Sequence, residues 1–294
     1  MNFFESLSNF GFSNLNNIDI IKVEEKKKST SSNTEKKKFN ESDYIFEKKY
    51  KCTCCGKEIL VKSVKSGRVH SSHSDLDLRK KYTGVDLYKY EIIFCPNCGY
   101  ASLPGSFTAL SDKQIKAIQT KISSKFKCNP QLLNKSVYDY KDAIMLHELA
   151  LLNSIEKNGR NSEKANLCLK LSWLFRGAIE ALDEKKDEKL IKQYQDKEQQ
   201  FLKVTYKGFM VAREKESFPI AGMNENTLDY LIAALGYEIG ETDACLKLLG
   251  GVLTNRTATR NIKNKALELK EIIVKEKNKP KPDKSHKTDA SEKG

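Results

Sequence analysis

Cys52-Thr53-Cys54-Cys55-Gly56 and Cys95-Pro96-Asn97-Cys98-Gly99 decide the reading of this chain. Each contains C-x-x-C followed by glycine. Two thiols at this spacing sit on one tight turn and can grip a metal ion from one side. The glycine after the second cysteine lets the backbone turn left-handed there. Two such turns facing each other offer four sulfurs in tetrahedral array, the donor set of a structural zinc site. Cys52, Cys55, Cys95 and Cys98 are therefore the predicted Zn²⁺ ligands. Four thiolates leave zinc no open position, so the site is expected to organise structure and not to catalyse. Cys54 is a spare thiol inside the first turn, because Gly56 follows Cys55 as Gly99 follows Cys98.

A single C-x-x-C can be a redox pair, but two matched pairs favour metal. Disulfides are not expected, since residues 1–22 have no basic start, long apolar run or small-residue cleavage site. Cys128, Cys168 and Cys245 fall alone in or beside helical patterns and read as buried free thiols.

The sequence around the two pairs reads as a zinc ribbon. Glu58 to Val64 is a β-prone stretch. From Tyr88 to Phe94, Tyr88, Tyr90, Ile92 and Phe94 alternate as a half-buried strand would. Between them, His70 and His73 are candidate ligands of a second metal, with Asp75 or Asp77 nearby. The other reading is a polar excursion whose carboxylates hold lysine, arginine or backbone groups.

From Ser111 the period becomes helical. Ser111-Asp112 caps a helix carrying Ile115, Ile118 and Ile122. Pro130 opens a longer one, ending near Asn158-Gly159. Asn161-Ser162 opens the next, which carries Trp173 and Arg176, expected to pair near Asp183 and Glu184. A polar helix spans roughly residues 186–213. Three more cover residues 225–240, 242–254 and 258–275. Leu231 to Leu249 looks like a tetratricopeptide helix pair, with Ala233 and Cys245 small enough for close approach and Gly240 in the turn. The fold expected is mainly α with a small β zinc ribbon. The zinc-ribbon module is N-terminal to tetratricopeptide-like antiparallel helical pairs.

Composition adds limits. The chain has 294 residues and a formal charge of +13. Much of the excess lies in two lysine-rich, low-complexity stretches, expected to be disordered. The expected organisation is an apolar N-terminal peptide (1–22), a lysine-rich linker (23–43), the ribbon (44–110), a helical domain (111–277) and a tail (278–294). The N-terminal peptide carries Phe3, Leu7 and Phe10 near helical spacing and can dock on its own chain or on a partner. No stretch approaches the roughly 20 apolar residues that span a membrane. No G-x-S-x-G, Walker-type phosphate loop or H-E-x-x-H occurs, and His147-Glu148 reads as helix surface or core.

Taken together, these residues resemble an uncharacterised bacterial family, the domain of unknown function 2225 proteins, over residues 51–275. The resemblance rests on Cys52-x-x-Cys55-Gly56 with Lys57 and Glu58, and on Asp75-x-Asp77. It rests also on Tyr90 leading to Phe94-Cys95-Pro96-x-Cys98-Gly99-Tyr100-Ala101, and on Leu171-Ser172-Trp173-Leu174-Phe175-Arg176. Cys54 and Leu87 depart from the pattern. The resemblance implies a zinc ribbon joined to tetratricopeptide-like helices, and no activity. The expectation is a cytoplasmic, non-enzymatic zinc-binding scaffold or adaptor whose helical domain, residues 161–275 above all, binds protein partners. The alternative is a nucleic-acid-binding zinc-ribbon protein. That reading needs Arg68, Arg79, Lys80, Tyr82, Tyr88 and Lys89 to converge on one ribbon face.

Overall fold

Both cysteine turns are the tips of β-hairpins. Strand β1 (Ile45–Lys51) pairs antiparallel with β2 (Glu58–Val64), in a register that sets Lys51 opposite Glu58. The first cysteine turn lies between those two residues. Strands β5 (Ile93–Phe94) and β6 (Ala101–Ser102) pair the same way around the second turn. A third hairpin, β3 (Ser71–Ser74) with β4 (Lys80–Tyr82), lies between them in sequence. The structure is a computed structural model that describes Gly11 and residues 40–278. The rest of the expected N-terminal peptide, most of the linker and the tail beyond Asn278 lie outside the described residues. Residues 40–43, placed in the linker by sequence, belong to a 3₁₀ turn and its cap, Glu41–Tyr44 with Asn40. Glu41 anchors that turn, accepting from Tyr90 Oη at 2.7 Å and from Lys89 Nζ.

The strand expected over residues 88–94 is mostly not a strand. Asp86 accepts a hydrogen bond from the Tyr88 backbone and caps a 3₁₀ turn, Leu87–Tyr90, leaving only β5 extended. The alternation misled because Tyr88, Tyr90, Ile92, Ile93 and Phe94 are all buried. Tyr88 packs on Trp173, and Tyr90 stacks on Tyr138.

The helices follow the sequence more closely. Ser111 and Gln114 form a capping box at the start of α1 (Asp112–Ile118), which continues as a π-helical turn, Gln119–Ser123. The long helix expected from Pro130 is two. α2 (Pro130–Asn134) stops, and α3 (Tyr140–Glu156) restarts at a second capping box in which Asp139 and Asp142 each accept the other's backbone N–H. Such reciprocal capping satisfies two orphan donors and favours a break over a continuous helix. α4 (Asn161–Glu180), α5 (Glu188–Lys215), α6 (Glu225–Ile239), α7 (Thr242–Thr254) and α8 (Arg260–Lys277) follow. From α3 to α8 each helix packs on the next in sequence. α3 and α6 are buried nearly all round, whereas α5 buries Phe201, Leu202, Phe209 and Ala212 and leaves much of its polar surface outside.

α6 and α7 meet where α6 carries no side chain of its own, at Gly236. A Cβ on Gly236 would lie 2.7 Å from Cys245 Sγ. The close approach read from Ala233 and Cys245 therefore depends on Gly236 as well. Gly240 takes a left-handed φ of 87° and ends α6.

One apolar core runs from the cysteine hairpins through α3 and α4 to α6, and a smaller one joins α6 to α7 and α8. The molecule is mainly helical, with the small antiparallel ribbon seated on the helices and not tethered beside them. Among the described residues no helix is long and apolar enough to cross a membrane.

Candidate metal centre

The two cysteine turns are built alike. In the first, Cys52 N–H donates to Lys57 O and Gly56 N–H to Cys52 O, both at 2.9 Å. In the second, Cys95 N–H donates to Tyr100 O at 2.8 Å and Gly99 N–H to Cys95 O at 2.9 Å. Gly56 and Gly99 have φ of 75° and 72°, the left-handed turn the sequence requires.

These turns face each other and bring the sulfurs of Cys52, Cys55, Cys95 and Cys98 within 4.8 Å of one another. Cys52–Cys98 and Cys55–Cys95 are each 3.7 Å apart. Sulfurs placed tetrahedrally at about 2.3 Å from a metal lie about 3.8 Å from each other. Two of the six sulfur–sulfur distances have this spacing and the others lie within 4.8 Å, so the donor set can close on one tetrahedrally coordinated ion. The thiols perturb one another strongly. Hydrogen bonds first from Cys52 and then from Cys98 hold Cys95 below the usual thiol range, while the hydrogen bonds shared among the cluster push Cys98 and Cys52 up, so the first thiolate charge settles on Cys95.

The second turn is clamped by helices. Ser123 Oγ donates to Cys98 O at 2.8 Å, and Asn153 Nδ2 on α3 donates to Gly99 O at 2.9 Å. A Cβ on Gly99 would lie 2.6 Å from Phe126. The first turn has no such crowding at Gly56. Cys54 is buried and close enough to Cys98 for their thiols to interact. Cys128 is half-buried, and Cys168 and Cys245 are buried. All eight cysteines are free.

His70 and His73 are exposed and join no metal-holding group among the described residues. The neighbouring aspartates instead hold the ribbon to the helices, the second of the two readings. Asp77 is 0% exposed. Its Oδ2 accepts from Trp173 Nε1 at 2.8 Å and pairs with Arg176 at 3.0 Å. Arg176 also meets Asp75 at 3.3 Å, Glu198 on α5 at 2.7 Å and Glu238 on α6 at 3.7 Å. The partners near Asp183 and Glu184 expected for Trp173 and Arg176 are thus replaced by residues far away in sequence. Arg79 in the β3–β4 turn forks onto Glu180 of α4 at 2.9 and 3.0 Å, and Lys81 joins the same carboxylate. Nothing in the sequence pointed to Glu180, Glu198 or Glu238, which lie on three different helices, α4, α5 and α6.

Arg79, Tyr88 and Lys89 do not present themselves on an outer ribbon face. All three are buried in contacts with Glu180, Trp173 and Glu41. His147 is a core residue, with Nδ1 2.8 Å from Ala143 O; burial pushes its pKa down to about 3, so the ring is neutral.

Away from the sulfurs, α2, α3 and α5 enclose a cleft of about 720 Å³. Leu132, Ile144, Met145, Phe175 and Tyr194 give it apolar walls, and Gln131, Gln193 and Gln200 line it with amides. On α5, Gln193, Tyr194 and Gln200 line this cleft, while Gln199 is buried and Tyr206 packs beside Gly236.

Fold and site together define a small four-thiol metal-site ribbon built onto a set of sequentially packed helices. The chain belongs to the family described as an uncharacterized protein conserved in bacteria (DUF2225), whose model matches residues 45–273. No curated protein and no solved structure matches it.

Proposed function

We propose that this chain is a non-enzymatic zinc protein, a scaffold or adaptor that holds protein partners on its helical half. The observation that carries the reading is the separation of two features. The thiol cluster would use all four donors on one ion, and a cleft of about 720 Å³ lies elsewhere, between α2, α3 and α5. Zn²⁺ is the ion proposed, held by Cys52, Cys55, Cys95 and Cys98. The thiol spacing suits its bond length, and it needs no redox chemistry. When bound it ties the two hairpins together; this chain's residues do the remaining work of presenting the helices. Sequential packing from α3 to α8 is the arrangement that stacked tetratricopeptide-like pairs give. Eight cysteines with no disulfide among them suit a reducing compartment, and the cytoplasm is the location proposed.

Burial of Arg79, Tyr88 and Lys89 removes half of the basic and aromatic face that nucleic-acid binding would need. Proteins as partners are therefore the reading adopted. The test is affinity purification from the native cell with and without nuclease, then hydrogen exchange on the captured complex. Partners that survive nuclease and protect residues 131–148 and 193–200 are expected. Nuclease-sensitive recovery, or protection confined to residues 45–110, would overturn it.

A further inference from the structure

Gly11 stands outside the described stretch 40–278, and its position is informative. A side-chain carbon on Gly11 would come within 3.0 Å of the Lys125 carbonyl oxygen and 3.4 Å of the Lys127 side chain. Its backbone therefore lies against the loop that leads into α2, with a left-handed φ of 84°. That loop runs on to Asn129 and Gln131, which open the cleft between α2, α3 and α5. The cleft follows residues 141–148 of α3 and 193–200 of α5, roughly 10 Å of each helix. Residues 1–10 can extend at most about 36 Å from Gly11. The whole cleft is within their reach.

Chemistry agrees with position. Residues 1–10 read Met-Asn-Phe-Phe-Glu-Ser-Leu-Ser-Asn-Phe. Phe3, Leu7 and Phe10 recur in the sequence at helical spacing. Leu132, Ile144, Met145 and Phe175 give such a face an apolar floor. Gln200, one of the lining residues, carries an Oε1 that is buried without a hydrogen-bond partner.

We propose that residues 1–10 of this chain are the occupant of the α2–α3–α5 cleft, docked in cis. The proposal rests on the cleft being a peptide groove, as the functional reading holds, but not on any separate partner. A tethered segment competes at an effective concentration of about millimolar. An external partner must then displace it, so the segment sets a threshold for partner binding.

Hydrogen exchange on the full chain tests this, comparing it with the full-length variant Phe3→Ser/Leu7→Ser/Phe10→Ser. The expected result is about tenfold faster exchange in the variant over residues 131–134, 141–148 and 193–200. Residues 225–273 should exchange alike in both. Unchanged exchange along the cleft, or a change confined to other segments, would overturn the proposal. Light scattering at several concentrations covers the other occupant: a wild-type dimer that the variant loses would place residues 1–10 in a second copy and also overturn it. The two readings fail separately. If the cleft responds to the variant but no protein is ever captured, docking stands and the adaptor reading falls. If the cleft does not respond but a captured protein protects it, docking falls and the adaptor reading stands.

Discussion

Gly56 and Gly99 occupy equivalent places in the two cysteine turns, and the sequence marks them as equivalent. Both need a left-handed backbone, which costs an L-residue roughly 1–2 kcal/mol. They differ in what surrounds them. Nothing lies within 4 Å of a Cβ on Gly56, whereas one on Gly99 would meet Phe126 at 2.6 Å. Phe126 itself packs edge-on against Phe94. Gly56→Ala should therefore cost about 1–2 kcal/mol and Gly99→Ala about 2–4 kcal/mol, since the ring must also move. Urea unfolding of both variants at one zinc concentration compares them; equal losses would mean that Phe126 does not hold the second turn. At this scale the motif was legible and its surroundings were not. C-x-x-C-G states its own backbone geometry, but the partner of Gly99 comes from another element.

The same division recurs among the elements. Strand β2, the Ser111 cap, the opening of α4 at Asn161 and the extents of α5 to α8 were legible, because caps, breakers and period are local. Residues 88–94 were misread because burial on both sides leaves an apolar run that periodicity cannot interpret, and the Asp86 cap then decides. The break before α3 was missed because Asp139 and Asp142 look like ordinary helix residues until each caps the other. The junction of ribbon and helices was hidden for a different reason. Its ion pairs join Arg176 to Asp75, Asp77, Glu198 and Glu238, drawn from the ribbon, α5 and α6. That junction should titrate. Burial first, and then the charges of Asp77, Glu198 and Asp75, push Glu238 up from 4.5 to about 7 against the opposing pull of Arg176. The folded chain then keeps a proton that the unfolded chain has released. The stability this adds is complete below about pH 4.5 and is lost as pH rises through about 7. Between pH 6 and 8 the wild type should lose about 1 kcal/mol more stability than Glu238→Gln. Denaturant midpoints at the two pH values measure it, and parallel losses in both proteins would assign the proton elsewhere.

Over the whole molecule, the ribbon is a part of the helical core and not a separate bead. The cluster that contains Cys52, Cys95 and Cys98 also contains Leu149 of α3 and Trp173 of α4. Two constraints hold the hairpins there, the helix-borne hydrogen bonds to the second turn and the metal proposed between the turns. Structural zinc can contribute on the order of 10 kcal/mol to a small module, more than the few hydrogen bonds that clamp Gly99 and Cys98. Everything in the functional reading depends on that ion being present and saturated by thiolates, with the helices left to do the binding. Metal analysis of anaerobically purified protein, alongside Cys95→Ser/Cys98→Ser, tests it most directly. The account predicts one zinc per wild-type chain and loss of the metal from the variant. Wild-type protein free of zinc, or a variant that retains it in full, would contradict the account.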